Sequence, residues 1–332
     1  MHQLARFVFC VMEAYRILPI ALVLSALSFI ISYLLTPLTA RLSYATGALD
    51  RPDGVRKIHL TDTPRLGGLA FFFAAFISVS LLALHEGINI ALGEGGFISA
   101  LLSGGAILCA SGVLDDTFGL APLGKLLLQS AAALVALVFL PLPESVSFFG
   151  LVRVPLIGPL GYIFMLIRMI LTVNAVNFSD GLDGLASGLS LVALLSLFVF
   201  GLANGRTLGA CVSLILAAAV LGFLPYNRYR ARLYMGDVGS QFLGLSIAII
   251  ALSTTRDGSF TLETSLFLFI PMLDTFLSVV RRLLHGRSPF SADKGHLHHL
   301  LLARGRSHPA AVRTLVSISA LVALLTLALC LP

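Results

Sequence analysis

The stretch from Asn174 to Gly184 reads N-A-V-N-F-S-D-G-L-D-G, placing two amides, two carboxylates and two glycines between long apolar runs. Ionisable side chains are costly beside lipid, so such a group is a functional site by default. Three further acidic positions have the same character. They are Asp115-Asp116, Asp237 within Y-M-G-D-V-G-S, and Asp293 within S-P-F-S-A-D-K-G-H-L-H-H. These loops hold aspartate without glutamate, which describes short carboxylates aimed at a shared target. Hard oxygen donors suit Mg²⁺, with Mn²⁺ as a substitute, bound through one or two carboxylates plus substrate phosphates. Simpler readings exist for each cluster. Asp180 and Asp183 beside Gly181 and Gly184 are good turn formers. Asp237 could cap a helix, and Asp115-Asp116 could end one, although adjacent acids there repel. Asn174, Asn177, Asp180 and Asp183 recur every third residue, which drifts around an α-helix. The glycines must therefore bend or break the helix for the four to converge. A calcium-binding EF-hand loop fails, since Leu191 stands where its last acid belongs.

The second distinctive stretch, residues 288–299, carries His296, His298 and His299 among Arg281, Arg282, Arg287, Lys294 and Arg304. The spacing permits two zinc ligands on one face, but no cysteine is near and the surroundings are cationic. A phosphate or pyrophosphate held by His and Arg donors suits it better. Residues 50–68 add Lys57, His59 and Arg65, with Pro52 and Pro64 to stiffen the loop. Acids for a metal and bases for an anion are together the requirements of phosphoryl transfer.

The elements that must position these groups are transmembrane helices. The chain has 332 residues, 58% of them hydrophobic and 11% charged, against roughly 25% charged in a soluble domain. No polar stretch is long enough to fold separately, so residues 1–332 form one integral membrane domain. A membrane helix needs about 20 apolar residues. Ten runs qualify: 17–40, 67–84, 98–114, 124–140, 157–173, 185–203, 206–224, 239–254, 262–280 and 311–331. The weakest is 157–173, because it contains Arg168. Residues 141–156 alternate around Gly150 and read as a small hairpin. Cys10, Cys109, Cys211 and Cys330 are scattered in apolar surroundings and read as spectators. The start of the chain lacks the pattern of a signal peptide.

Loop charge sets the orientation. The loops on the side of the acidic clusters hold fifteen Lys and Arg, and the opposite side has five, namely Arg6, Arg16, Arg153, Arg206 and Arg256. The acidic side is therefore expected in the cytoplasm. This asymmetry also accounts for the net charge of +6 without nucleic acid. A cation- or proton-coupled transporter is the rival class, but transporters carry midplane charges and internal repeats. Only Asp274 and Arg168 are clear mid-run charges, and they either pair with each other or leave Asp274 facing the site. No repeat is visible.

The motifs G-V-L-D-D, N-A-V-N-F-S-D-G-L-D-G-L-A, M-G-D-V-G-S and S-P-F-S-A-D-K-G-H-L-H-H, in this order, closely resemble the polyprenyl-phosphate N-acetylhexosamine-1-phosphate transferases of the MraY/WecA superfamily. The resemblance covers about residues 40–305. It implies an all-α bundle of ten or eleven membrane helices in the inner membrane, with a cytoplasmic active site. The implied reaction is Mg²⁺-dependent transfer of a sugar 1-phosphate from a UDP-N-acetylhexosamine to undecaprenyl phosphate, releasing UMP. By the same resemblance, Asp115 deprotonates the lipid phosphate with Asp116 beside it near the metal, and Asp237 is the principal Mg²⁺ ligand. Asn174, Asn177, Asp180 and Asp183 line the nucleotide and metal region. His296, His298 and His299 match the WecA-branch H-x-H-H that holds the donor phosphates, and Lys57 and His59 match a basic first-loop motif. The P-L-H-H-H loop of the muramoyl-pentapeptide branch is absent, which favours an N-acetylhexosamine donor such as UDP-GlcNAc. A homodimer is plausible by resemblance. The CDP-alcohol phosphotransferases resemble the D-G-L-A segment less well, since Ser187 follows where they need Arg.

Overall fold

The computed structural model describes residues 2–50, 62–87, 95–254, 259–286 and 295–331, with side chains from Arg16 onward. Among these, ten helices are long and apolar enough to cross a membrane, one for each predicted run. They are α1 (His2–Thr46), α2 (Gly68–His85), α3 (Gly95–Phe118), α4 (Pro122–Phe139), α5 (Leu160–Phe178), α6 (Leu185–Ala203), α7 (Thr207–Asn227), α8 (Gly236–Ser253), α9 (Phe269–Leu284) and α11 (His308–Cys330). A 3₁₀ turn over Leu262–Leu268 leads into α9 and completes its span, Leu262–Leu284, and the short α10 (Leu297–Ala303) precedes α11. Helices are the natural answer to lipid, because they satisfy their own backbone groups. Several buried hydroxyls use the same ladder: Ser25, Thr36, Thr172 and Ser246 each donate to the carbonyl four residues earlier.

Helix α8 is the axis of the bundle, with 89% of its span buried. Three helices reach it where glycine removes a side chain. A Cβ on Gly68 of α2 would overlap the Gly239 backbone, one on Gly112 of α3 would overlap Val238, and one on Gly244 of α8 would overlap Val173 of α5. Small residues at such crossings are the usual means of close helix approach in membranes. The result is that α3, α5 and α8 are locked together where their functional residues lie.

The predicted hairpin is present: β3 (Ser145–Phe148) pairs antiparallel with β4 (Val152–Pro155), with Val146 opposite Val154. It gains a third strand, β5 (Ser259–Thr261), parallel to β3. This sheet caps one end of the bundle. Among the described residues, Asp115, Asp116, Asp180, Asp183 and Asp237 lie at the other end. A second, two-stranded pairing of β1 (Leu49–Asp50) with β2 (Thr63–Pro64) closes the first loop there.

The structure decides two points that the sequence left open. The run holding Arg168 is a full-length helix, α5, because the guanidinium is internally accommodated. It lies 4.2 Å from the Phe260 ring and donates to the Ala248 carbonyl at 3.3 Å. Asp274 does not pair with it, since its carboxylate is taken by His296 and Leu297.

Candidate active site

The site is built at the N-terminal end of α8. Gly236 has a φ of 64°, and a Cβ there would overlap the Asp116 carboxylate, so only glycine lets α3 and α8 meet. Asp237 follows at once. Its carboxylate accepts the Asn177 amide at 2.6 Å and the Lys125 ammonium. Lys125, on α4, also lies 3.0 Å from Asp115. Asn177 makes a second bond to Ser240 at 2.8 Å. Four helices thus place Asp115, Lys125, Asn177 and Asp237 around one point, with a single positive charge held between two carboxylates.

Asp116 faces the other way. Its carboxylate accepts the Val238 N–H at 3.2 Å and lies 3.4 Å from Arg65 Nε. Arg65 is brought there by backbone pairing. Tyr234 N–H donates to Pro64 O, Gly67 N–H to Tyr234 O, and Gly68 N–H to Met235 O. The end of α1 contributes Ser43, whose hydroxyl accepts the Leu66 N–H at 3.1 Å. Burial lowers the Arg65 guanidinium, but Asp116, Asp237, Asp50 and Asp180 outweigh it and hold its pKa above the ordinary value.

The opening motif divides as its spacing predicted. Asn174 and Asn177 end α5, Asp180 and Asp183 lie in the following turn, and Gly184 starts α6 with a φ of 75°. Asn174 lies one turn deeper than the acids and donates to Gln129 at 2.8 Å. Asp180 belongs with the acids. Burial pushes its pKa well above the ordinary range, opposed by Arg65 and reinforced by Asp237, Asp116 and Asp183. Asp183 instead accepts the Ala231 N–H at 3.1 Å, and its own N–H donates to His308 at 3.2 Å. It pins the α7–α8 turn, where Arg230 has a φ of 62°, and the start of α11.

The histidine loop docks on this turn. A Cβ on Gly181 would overlap the His298 imidazole, so Gly181 lets the ring sit against the turn. His296 and His298 are buried and their rings stack at 5.7 Å, while His299 is exposed, 4.2 Å from His298. Burial lowers the His298 pKa to about 4, aided by His299 and His296. Among the described residues no group of three His, Cys, Asp or Glu side chains is arranged to hold a metal ion, so the three histidines gain no support as a zinc site. Lys57, His59, Asp293 and Lys294 lie outside the described residues.

Sequence reasoning gave Lys125 only a place in the charge count and left Asp274 undecided. Lys125 is nevertheless a lone base at the start of an apolar helix, and Asp274 a lone acid inside one; ionisable residues at such places carry a functional signal. Gln129 went unremarked, although an amide within an apolar run carries a weaker form of that signal.

Comparison with known proteins adds an independent line. Residues 98–255 match the model of glycosyl transferase family 4. The chain is 39% identical over 310 residues to a decaprenyl-phosphate N-acetylglucosaminephosphotransferase of Mycobacterium tuberculosis, covering 84% of this chain and 75% of that one. It is 35% identical over 300 residues to a probable undecaprenyl-phosphate N-acetylglucosaminyl 1-phosphate transferase of Bacillus subtilis, covering 87% and 78%. An Escherichia coli undecaprenyl-phosphate alpha-N-acetylglucosaminyl 1-phosphate transferase is 30% identical over 268 residues, covering 78% and 70%. The chain belongs to the polyprenyl-phosphate N-acetylhexosamine-1-phosphate transferases. The matched family region spans α3 to the end of α8 and contains every acid around Lys125. The histidine loop of this transferase lies beyond it, tied back through Gly181.

Proposed function

We propose that this transferase moves N-acetylhexosamine 1-phosphate, with GlcNAc-1-phosphate as the first candidate, from a UDP-sugar to undecaprenyl phosphate, releasing UMP. The step would begin a cell-surface glycan, and the site would face the cytoplasm from the inner membrane. The observation that carries the reading is the convergence of Asp115 and Asp237 on the Lys125 charge, with Asn177 donating to Asp237. The relatives named for GlcNAc-phosphate transfer support the sugar. The excess of basic residues on the acidic side supports the orientation.

The donor set fits Mg²⁺, because two carboxylates already converge on a cation. Asp237 would be its principal ligand, with Asp115 beside it left to act as base. Asp116 is less suited, since its carboxylate is turned to Val238 and Arg65. When bound, the ion would neutralise charge on the donor pyrophosphate. The chain's own residues supply the rest. Asp115 takes the proton from the lipid phosphate, whose oxygen then attacks the β-phosphorus of the UDP-sugar. The P–O bond to UMP breaks, and UMP leaves with that electron pair. Lys125 offers positive charge beside the transferring group. His298, neutral near pH 7, and the exposed His299 contribute donors to the pyrophosphate from the far side of the Asp180 turn.

Purified protein in detergent with UDP-GlcNAc and undecaprenyl phosphate should release UMP. A lack of UMP across a panel of UDP-sugars would overturn the proposal. Trapping a covalent phosphosugar-enzyme species without acceptor would replace direct attack by a two-step route.

A further inference from the structure

At the end of the bundle opposite Asp115 and Asp237, a cavity of about 410 Å³ lies between the β3–β4 hairpin, the end of α6 and the end of α11. That volume falls within the range of small-molecule sites, about 300–1,000 Å³. Ser147, Arg153, Asn204, Thr261 and Glu263 give it a polar wall. Glu263 is 2% exposed. One of its carboxylate oxygens accepts the Phe149 N–H, and the other has no hydrogen-bond partner among the described residues. A buried acceptor left unpaired is costly and calls for a donor. Phe149, which also lines the cavity, has a φ of 48°. Gly150 follows with a φ of 66°, and Leu151 N–H donates to Phe148 O, so this backbone is the tight turn that closes the hairpin over the cavity.

Arg153 brings a guanidinium to the same cavity, held by Ser145 at 2.8 Å, which in turn lies 2.7 Å from Ser259. Leu329, 73% exposed on α11, forms part of the wall, so the cavity borders the bilayer. A buried carboxylate, a guanidinium and an apolar edge toward lipid together fit a zwitterion that carries an ammonium and a phosphate. We infer that the cavity binds the phosphoethanolamine-type head group of an aminophospholipid from the leaflet opposite the catalytic face. The primary ammonium meets Glu263 and the phosphate lies toward Arg153. A quaternary ammonium has no N–H to give Glu263 and is the matching control.

The test is native mass spectrometry of the full chain, delipidated and then titrated with phosphatidylethanolamine or phosphatidylcholine. Phosphatidylethanolamine should be retained about tenfold better, the scale of one hydrogen bond to a charged group. Glu263→Gln keeps an acceptor for Phe149 and should abolish the preference. Ser147→Leu fills the cavity without touching Glu263 and should do the same. Both variants should still release UMP, which verifies their fold. Displacement by soluble phosphoethanolamine would support the same chemistry with an aqueous source, and retention against it would support the lipid. Equal retention of the two lipids, or a preference that survives both substitutions, would overturn the inference.

Discussion

The carboxylate of Asp274 holds two points of the histidine loop at once, accepting His296 Nδ1–H at 2.9 Å and the Leu297 N–H at 2.8 Å. Both side chains are buried. A carboxylate can only accept, so it fixes the proton on Nδ1 and leaves Nε2 to face the loop's neighbours. Asp274 is therefore a positioning residue for His296. Asp274→Asn offers Nδ1 a donor in place of an acceptor. It should lower kcat/KM for the UDP-sugar by about 10- to 100-fold, the range for hydrogen bonds to charged groups. Steady-state UMP release checks it, and the change should fall mainly on KM. Unchanged kinetics would remove Asp274 from the site.

Gly181 and His298 form a second coupled pair, since a Cβ at 181 would overlap the imidazole. Gly181→Ala should displace His298 and lower activity about tenfold or more. In a His298→Ala background the same substitution should cost little. The double-mutant cycle isolates this coupling, and additive losses would show that Gly181 acts elsewhere.

The ten helices were legible because a span of lipid demands about 20 apolar residues, whatever their packing. The break after Asn177 was legible because a three-residue repeat cannot hold one helical face. What the sequence could not reveal was direction. Asp183 and Asp180 sit in one motif, yet one carboxylate meets a backbone N–H across 48 positions and the other joins the acids. Lys125 looked like an ordinary positive-inside residue until α4 placed it 112 positions from Asp237 and within reach of it. Long-range pairing of this kind leaves no local periodicity to read.

His298 predicts a pH dependence of stability. Burial lowers its pKa from 6.5 to about 4. The unfolded chain then binds a proton that the folded chain refuses between those values. Stability is fully present above pH 6.5 and is lost as pH falls toward 4, by about 3 kcal/mol from this group. The thermal midpoint in detergent should drop between pH 7.5 and 5. His298→Gln should flatten that drop, and an unaltered slope would assign it to other groups.

Asp183 separates a positioning role from a binding one. Asn at this position keeps an oxygen for the Ala231 N–H, whereas Ala leaves that donor unmet. Asp183→Asn should stay within about threefold of wild-type activity. Asp183→Ala should lose about 1 kcal/mol or more of stability with its activity, as expected for an unmet backbone donor. UMP release and thermal midpoints distinguish the two. An inactive but stable Asp183→Asn would mean that the negative charge itself acts on substrate.

Asp237 gives the sharpest test of the proposed metal site, because its carboxylate meets both Lys125 and Asn177. Asp237→Asn retains an oxygen for Asn177 and removes the charge that faces the cation. Its kcat should fall about a hundredfold or more, the scale of losing one preorganised electrostatic contact at a transferring group. The Mg²⁺ concentration needed for half-maximal rate should rise as well. Lys125→Met removes the resident ammonium, so it should lower the rate without raising that Mg²⁺ requirement. Titrating Mg²⁺ against UMP release for both variants checks the assignment. Full activity of Asp237→Asn at the wild-type Mg²⁺ level would move the ion to another ligand.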